Sequence, residues 1–140
     1  MSQPKRSWAS ATPVHVAFGF LVMGAWGVFA NRVHPLPQAL LAGLVQGALS
    51  GTITLFLKKG LERMNKMFMT ARQSDEGIGR TFAALVVPPV VTVSIISTIL
   101  ISVHSIAGTP EIAATVAVPL LVSTSYAIIY NFNLWKAAVR

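Results

Sequence analysis

The residues of this chain with the most versatile chemistry are its three histidines, His15, His34 and His104. An imidazole can bind a transition metal or carry a proton at physiological pH. A metal site needs three or four protein ligands, but cysteine is absent and the charge pattern divides the histidines between the two sides of a membrane. We therefore predict no metal site.

Residue patterns typical of enzyme active sites are also missing. The sequence has no His-Glu-x-x-His motif, no glycine-rich phosphate-binding loop and no set of nucleophile, base and orienting acid. We predict that the protein is not an enzyme, with no catalytic residues and no cofactor.

A second group of candidates is polar but uncharged. Gln46 lies within a long apolar segment, where an amide needs a hydrogen-bond partner. It is either a clamp between helices or part of a polar lining. Hydroxyl groups recur in the other apolar segments, although many can bond to a carbonyl of their own helix. The candidates for a polar lining are Gln46, Ser97, Thr98, Ser123, Thr124 and Ser125.

Three glycines at four-residue spacing, Gly43, Gly47 and Gly51, form a face without side chains if their segment is helical. Small residues allow membrane helices to approach each other closely. We predict that this face packs against another helix, either within the subunit or between subunits of a homo-oligomer.

Prolines interrupt two of the later apolar segments, at Pro88, Pro89 and Pro119. A proline inside a helix removes a backbone hydrogen bond and frees a carbonyl oxygen. We interpret these prolines as structural kinks, with a polar site or hinge at the freed carbonyls as the alternative.

Four long apolar segments must position all of these residues. They cover about residues 13–30, 36–57, 81–103 and 112–130 of a chain that is 54% hydrophobic and 11% charged. Since about 20 helical residues cross the hydrocarbon core of a bilayer, each segment can span it once. We predict an all-α membrane protein with four transmembrane helices arranged as two tandem hairpins.

The basic residues predict the orientation of these helices. Of the 11 Lys and Arg residues, only Arg32 lies outside the N-terminus, the central connection and the C-terminus. Because basic residues concentrate in cytoplasmic loops, we expect both termini to be cytoplasmic in a multi-pass protein of a bacterial inner membrane. This topology makes His34, His104 and Glu111 candidates on the outer face, where a histidine at the membrane interface is the default interpretation. His104 and Glu111, on either side of the same turn, are the candidate substrate contact.

The predicted organisation has four parts. Residues 1–12 form a flexible tail, 13–57 the first transmembrane hairpin, 58–80 a basic cytoplasmic loop with an amphipathic helix at 58–69, and 81–140 the second hairpin with a basic C-terminus. Four cations of the loop are interpreted as contacts to anionic lipid headgroups, with docking of a partner protein as the alternative. They are Lys58, Lys59, Arg63 and Lys66.

Two functions are compatible with these features. The absence of charged residues from the centres of the spans argues against proton- or cation-coupled transport. The leading hypothesis is assisted passage of a neutral or amphipathic solute or a lipid-linked substrate. The alternative is an accessory or scaffold subunit that binds a partner membrane protein. The net charge of +7 is not gathered into an aromatic-lined groove, so we expect no nucleic acid partner.

Overall fold

The computed structural model describes residues 12–72 and 78–138, and every regular element in these ranges is a helix. The helices are α1 (Thr12–Ala30), α2 (Leu36–Arg72), α3 (Ile78–Ile106) and α4 (Ile112–Ala138). Each is long and apolar enough to cross a membrane. The chain is therefore an all-helical, multi-pass membrane protein. Most of the predicted N-terminal tail lies outside the described residues.

Helix α2 is longer than the sequence predicted, because the second span and the segment at 58–69 form one continuous helix. Its 37 residues extend for about 55 Å, well beyond the thickness of a hydrocarbon core. The residues after Lys58 are mostly strong helix formers such as Leu, Glu, Met and Lys, so nothing ends the helix there. Leu61 is fully buried and Asn65 nearly so. This segment is therefore part of α2, with Leu61 and Asn65 packed into the bundle, and it does not form a separate helix.

The helices pack around a core that three of them share. Helix α2 contacts α3 and α4, which also contact each other, whereas α1 lies along α2, touches α4 and, among the described residues, does not touch α3. Ile96 and Leu100 of α3 and Val116 of α4 form the buried centre. Leu49, Ile53 and Leu57 of α2 pack against them, together with Ile112 and Leu120 of α4.

The contact between α1 and α2 is made largely of glycine. A Cβ atom on Gly47 would lie 2.7 Å from the carbonyl oxygen of Phe20, and one on Gly27 would lie 2.9 Å from the Cα atom of Gly43. Gly24 also faces Gly43, and Gly51 faces Val16. The glycine face of α2 is therefore covered by α1 of the same subunit.

The bundle differs from a soluble protein in the polarity of its surface and in the number of polar side chains that it buries. Large apolar side chains such as Phe18, Leu44 and Leu121 are exposed, as expected for surfaces in contact with lipid. Several of the most deeply buried side chains are polar. The fully buried polar residues are Asn31, Gln46, His104, Thr115 and Asn131.

Candidate functional site

Asn31, the first residue after α1, connects this helix to the start of α4. Its Nδ2 atom donates to the carbonyl oxygen of Gly27 (2.9 Å) and to Thr115 Oγ1 (2.7 Å). Its Oδ1 atom accepts a hydrogen bond from the backbone N–H of Glu111 (3.0 Å). The first N–H groups of a helix have no hydrogen-bond partner within that helix. Asn31, just after the end of α1, therefore caps the start of α4. The hydroxyl of Thr115 completes the group by donating to the Glu111 carbonyl oxygen (2.6 Å).

Two further contacts join the same ends of the helices. His34 Nε2 lies 3.0 Å from Glu111 Oε1, and both side chains are partly exposed. Trp26 Nε1 donates to the carbonyl oxygen of Ala114 (3.0 Å). The structure thus brings together two of the three residues predicted for the outer face, and they bridge the α1–α2 and α3–α4 connections.

His104, the third residue predicted for the outer face, is fully buried and does not pair with Glu111. The reason is the turn that ends α3. Gly108 has a φ of 67°, and the backbone N–H of Thr109 donates to the His104 carbonyl oxygen (3.0 Å). This Schellman-type turn folds Thr109 back over α3, and its Oγ1 lies 2.8 Å from His104 Nδ1. His104 therefore faces the interior of the bundle.

The other ring nitrogen of His104 contacts Gln46. The distance from Nε2 to Gln46 Oε1 is 2.9 Å, and Gln46 Nε2 donates to Ser50 Oγ (2.8 Å). An amide oxygen only accepts, so His104 Nε2 carries the hydrogen of this bond, and Nδ1 can accept the hydrogen of the Thr109 hydroxyl. Gln46 thus joins α2 to α3 through this hydrogen bond, as expected for a clamp between helices.

A second hydrogen-bonded group lies towards the other end of the bundle, where α3 contains two adjacent prolines. Pro88 and Pro89 lack the N–H groups that would bond to the carbonyl oxygens of Ala84 and Leu85. Asn131 Nδ2 donates to both oxygens, at 3.0 and 3.1 Å. The prolines leave two carbonyl oxygens without a backbone donor, as the sequence predicted, but the side chain of Asn131 in α4 donates to both.

Asn131 also connects this group to α2. Its Oδ1 atom accepts a hydrogen bond of 3.4 Å from Asn65 Nδ2. Close by, the hydroxyl of Tyr130 donates to Glu62 Oε1 (2.7 Å), and Lys58 Nζ lies 4.0 Å from the same oxygen. Sequence reasoning missed Asn65 and Asn131. The available signal was an amide on each of two helices next to a predicted membrane boundary.

The six residues predicted to line a polar path lie on three helices, α2, α3 and α4. The hydroxyls of Ser97 and Thr98 donate to carbonyls of their own helix, those of Val93 (2.8 Å) and Ser94 (2.9 Å). Within residues 12–72 and 78–138, no hydrogen bond joins Gln46 to any of the other five. Ser123 and Thr124 are half-buried, and Ser125 is exposed.

The cations predicted to contact headgroups, Lys58, Lys59, Arg63 and Lys66, are all exposed along α2. In the part of the chain that the structure describes, no three His, Cys, Asp or Glu side chains form a group able to hold a metal ion. Asn31, Gln46, His104, Thr115 and Asn131 form hydrogen bonds between helices, whereas the buried atoms Thr92 Oγ1 and Trp135 Nε1 have no hydrogen-bond partner in the structure.

Comparison with known proteins identified no relative. No protein-family model matches the sequence, and no curated protein or solved structure shows significant similarity to it.

Proposed function

We propose that this protein is a non-enzymatic accessory or scaffold subunit of a membrane complex, which binds a partner through its helices and its basic cytoplasmic connection. The observation that carries this proposal is the use made of the fully buried polar residues. Asn31, Gln46, His104, Thr115 and Asn131 all donate to or accept from other groups of the bundle. A solute path needs polar groups that face a passage, whereas these groups hold helices in fixed positions.

The passage of a neutral or amphipathic solute or a lipid-linked substrate has less support. It would require Gln46 to share a polar surface with the hydroxyls of α3 and α4. Gln46 instead bonds to His104 and Ser50, and the hydroxyls of Ser97 and Thr98 bond to their own helix.

The proposal includes a membrane topology. We infer two tandem hairpins, α1–α2 and α3–α4, in the inner membrane of a bacterium, with both termini in the cytoplasm. Contacts within each pair of consecutive helices and the short connections between them support the hairpins. The distribution of Lys and Arg supports the orientation. Because α1 covers the glycine face of α2, a homo-oligomer would have to use another surface.

Photo-cross-linking in cells tests the scaffold function. A photoreactive amino acid is placed at one exposed position on each helix, namely Leu21, Leu44, Ile95 or Leu121. A scaffold should give an adduct with the same protein at a subset of these positions. The buried position Leu100 is the matched negative control.

The competing function is measured on the purified protein in liposomes. Movement of a lipid or solute above that of empty liposomes, together with adducts to lipid alone at all four exposed positions, would contradict the scaffold function and favour assisted passage.

A further inference from the structure

One face of α2 changes from apolar to basic along its length. Six residues lie on it, each three or four positions from another of the six, so they share one side of the helix. We call them the α2 stripe, and all six are exposed: Thr52, Leu55, Phe56, Lys59, Arg63 and Lys66.

Two cations of the α2 stripe, Lys59 and Arg63, have no compensating partner among the described residues. Arg63 lies four positions after Lys59, which places the two cations side by side on a helix. Among the described residues, neither forms a hydrogen bond or an ion pair. The acidic group between them in sequence, Glu62, is held by Tyr130 and Lys58 on another side of the helix. An anion placed between Lys59 and Arg63 would relieve their repulsion.

The apolar half indicates what kind of anion fits. Phe56, which is 66% exposed, and Leu55 lie one helical turn from Lys59, on the side towards the membrane centre. A molecule with a negative headgroup and an apolar chain matches both halves, whereas free phosphate matches only the basic one. The helix cannot turn this face away, because Leu57 and Leu61 on the other side are packed in the bundle.

We propose that the α2 stripe binds an anionic phospholipid, with its phosphate between Lys59 and Arg63 and an acyl chain along Leu55 and Phe56. This inference rests on the surface of α2 and does not require the scaffold function, whose partner would then bind surfaces other than the α2 stripe. Each cation near an anionic membrane surface contributes about a fivefold preference for anionic lipid. The pair should therefore raise the preference by about 25-fold.

The test uses the full chain in mild detergent and native mass spectrometry with phosphatidylglycerol or phosphatidylcholine. The wild-type protein should retain phosphatidylglycerol preferentially, and Lys59→Gln/Arg63→Gln should lose most of this preference. Lys136→Gln, which removes an exposed cation from α4, is the matched control and should keep it. The charge-preserving variant Lys59→Arg/Arg63→Lys should keep it as well.

Further arms separate a lipid from other partners. Phe56→Ser should weaken retention of phosphatidylglycerol, and glycerol 3-phosphate should not compete with it. Unchanged lipid preference in Lys59→Gln/Arg63→Gln would overturn the proposal. An equal loss of lipid preference in Lys136→Gln would also overturn it. So would a result in which Lys59→Gln/Arg63→Gln loses a protein adduct in photo-cross-linking but retains lipid unchanged, since the surface would then bind a protein.

Discussion

Asn131 replaces, with a single side-chain amide, the two backbone N–H donors that Pro88 and Pro89 remove from α3. Both freed carbonyl oxygens accept from its Nδ2 atom. In a membrane there is no water to satisfy such carbonyls, so a neighbouring helix must do it. Gln46 and His104 follow the same rule, because each satisfies the other in the interior. At the residue scale, polar groups determine where helices meet.

This relation between Asn131 and the prolines can be tested with a double-mutant cycle. Asn131→Leu leaves two buried carbonyls without a donor and should destabilise the protein by about 1–3 kcal/mol. In Pro88→Ala/Pro89→Ala, the restored backbone N–H groups bond to the same carbonyls, so Asn131→Leu should cost clearly less. Unfolding in mixed micelles, followed by circular dichroism, measures both values. An equal cost in the two backgrounds would show that Asn131 does not act through these carbonyls.

The elements of the bundle are joined in two different ways. Helices α2, α3 and α4 share an apolar core supplemented by buried amides, whereas α1 is attached to α2 through glycine faces. Glycine allows the two backbones to come close enough for van der Waals contact along their length. The attachment of α1 therefore depends on the absence of Cβ atoms.

Two glycines of α2 provide a matched comparison. A Cβ atom at Gly47 would lie 2.7 Å from the Phe20 carbonyl oxygen, whereas one at Gly60 would have no atom within 4 Å. We expect Gly47→Ala to destabilise the protein by about 1–3 kcal/mol through overpacking. Gly60→Ala should be neutral or stabilise it by up to about 1 kcal/mol through helix propensity. Thermal unfolding in detergent measures both, and equal effects would argue against close α1–α2 packing.

The whole molecule places hydrogen-bonded groups near both ends of an apolar bundle. Along α4, Thr115 and Asn131 are about 24 Å apart, somewhat less than the thickness of a hydrocarbon core. Each group joins different helices through hydrogen bonds. Among the described residues, the two ends of the bundle differ in charge. The basic stretch of α2 lies at one end, and Arg32 lies at the opposite end.

The proposed orientation is testable by cysteine labelling, because the natural chain contains no cysteine. Val33→Cys, in the α1–α2 connection, is 77% exposed, and Met67→Cys, near the end of α2, replaces a side chain that is 66% exposed. A membrane-impermeant maleimide should label Val33→Cys in intact cells and Met67→Cys only after the membrane is opened. The reverse pattern would place both termini outside the cytoplasm.

Much of the architecture follows from the sequence, because crossing a bilayer imposes strong local requirements. Four apolar stretches of sufficient length predict four membrane-spanning helices whatever their tertiary arrangement. The structure contains four helices that are long and apolar enough to span a membrane. The glycine spacing predicted a close helix contact, and the prolines predicted freed carbonyls. These signals lie within single segments and need no knowledge of neighbouring helices.

The partners of the polar residues required the tertiary structure. Gln46 allowed two interpretations, and its contact with His104, 58 residues away, is the one expected for a clamp between helices. The same holds for Asn131 and the carbonyl of Ala84, which are 47 residues apart. Composition and spacing indicate that a buried amide needs a hydrogen-bond partner. Which group becomes that partner depends on the rotation and translation of the helices relative to one another. The apolar and basic residues determine that this chain enters a membrane, and the packing of its helices determines what its polar residues do there.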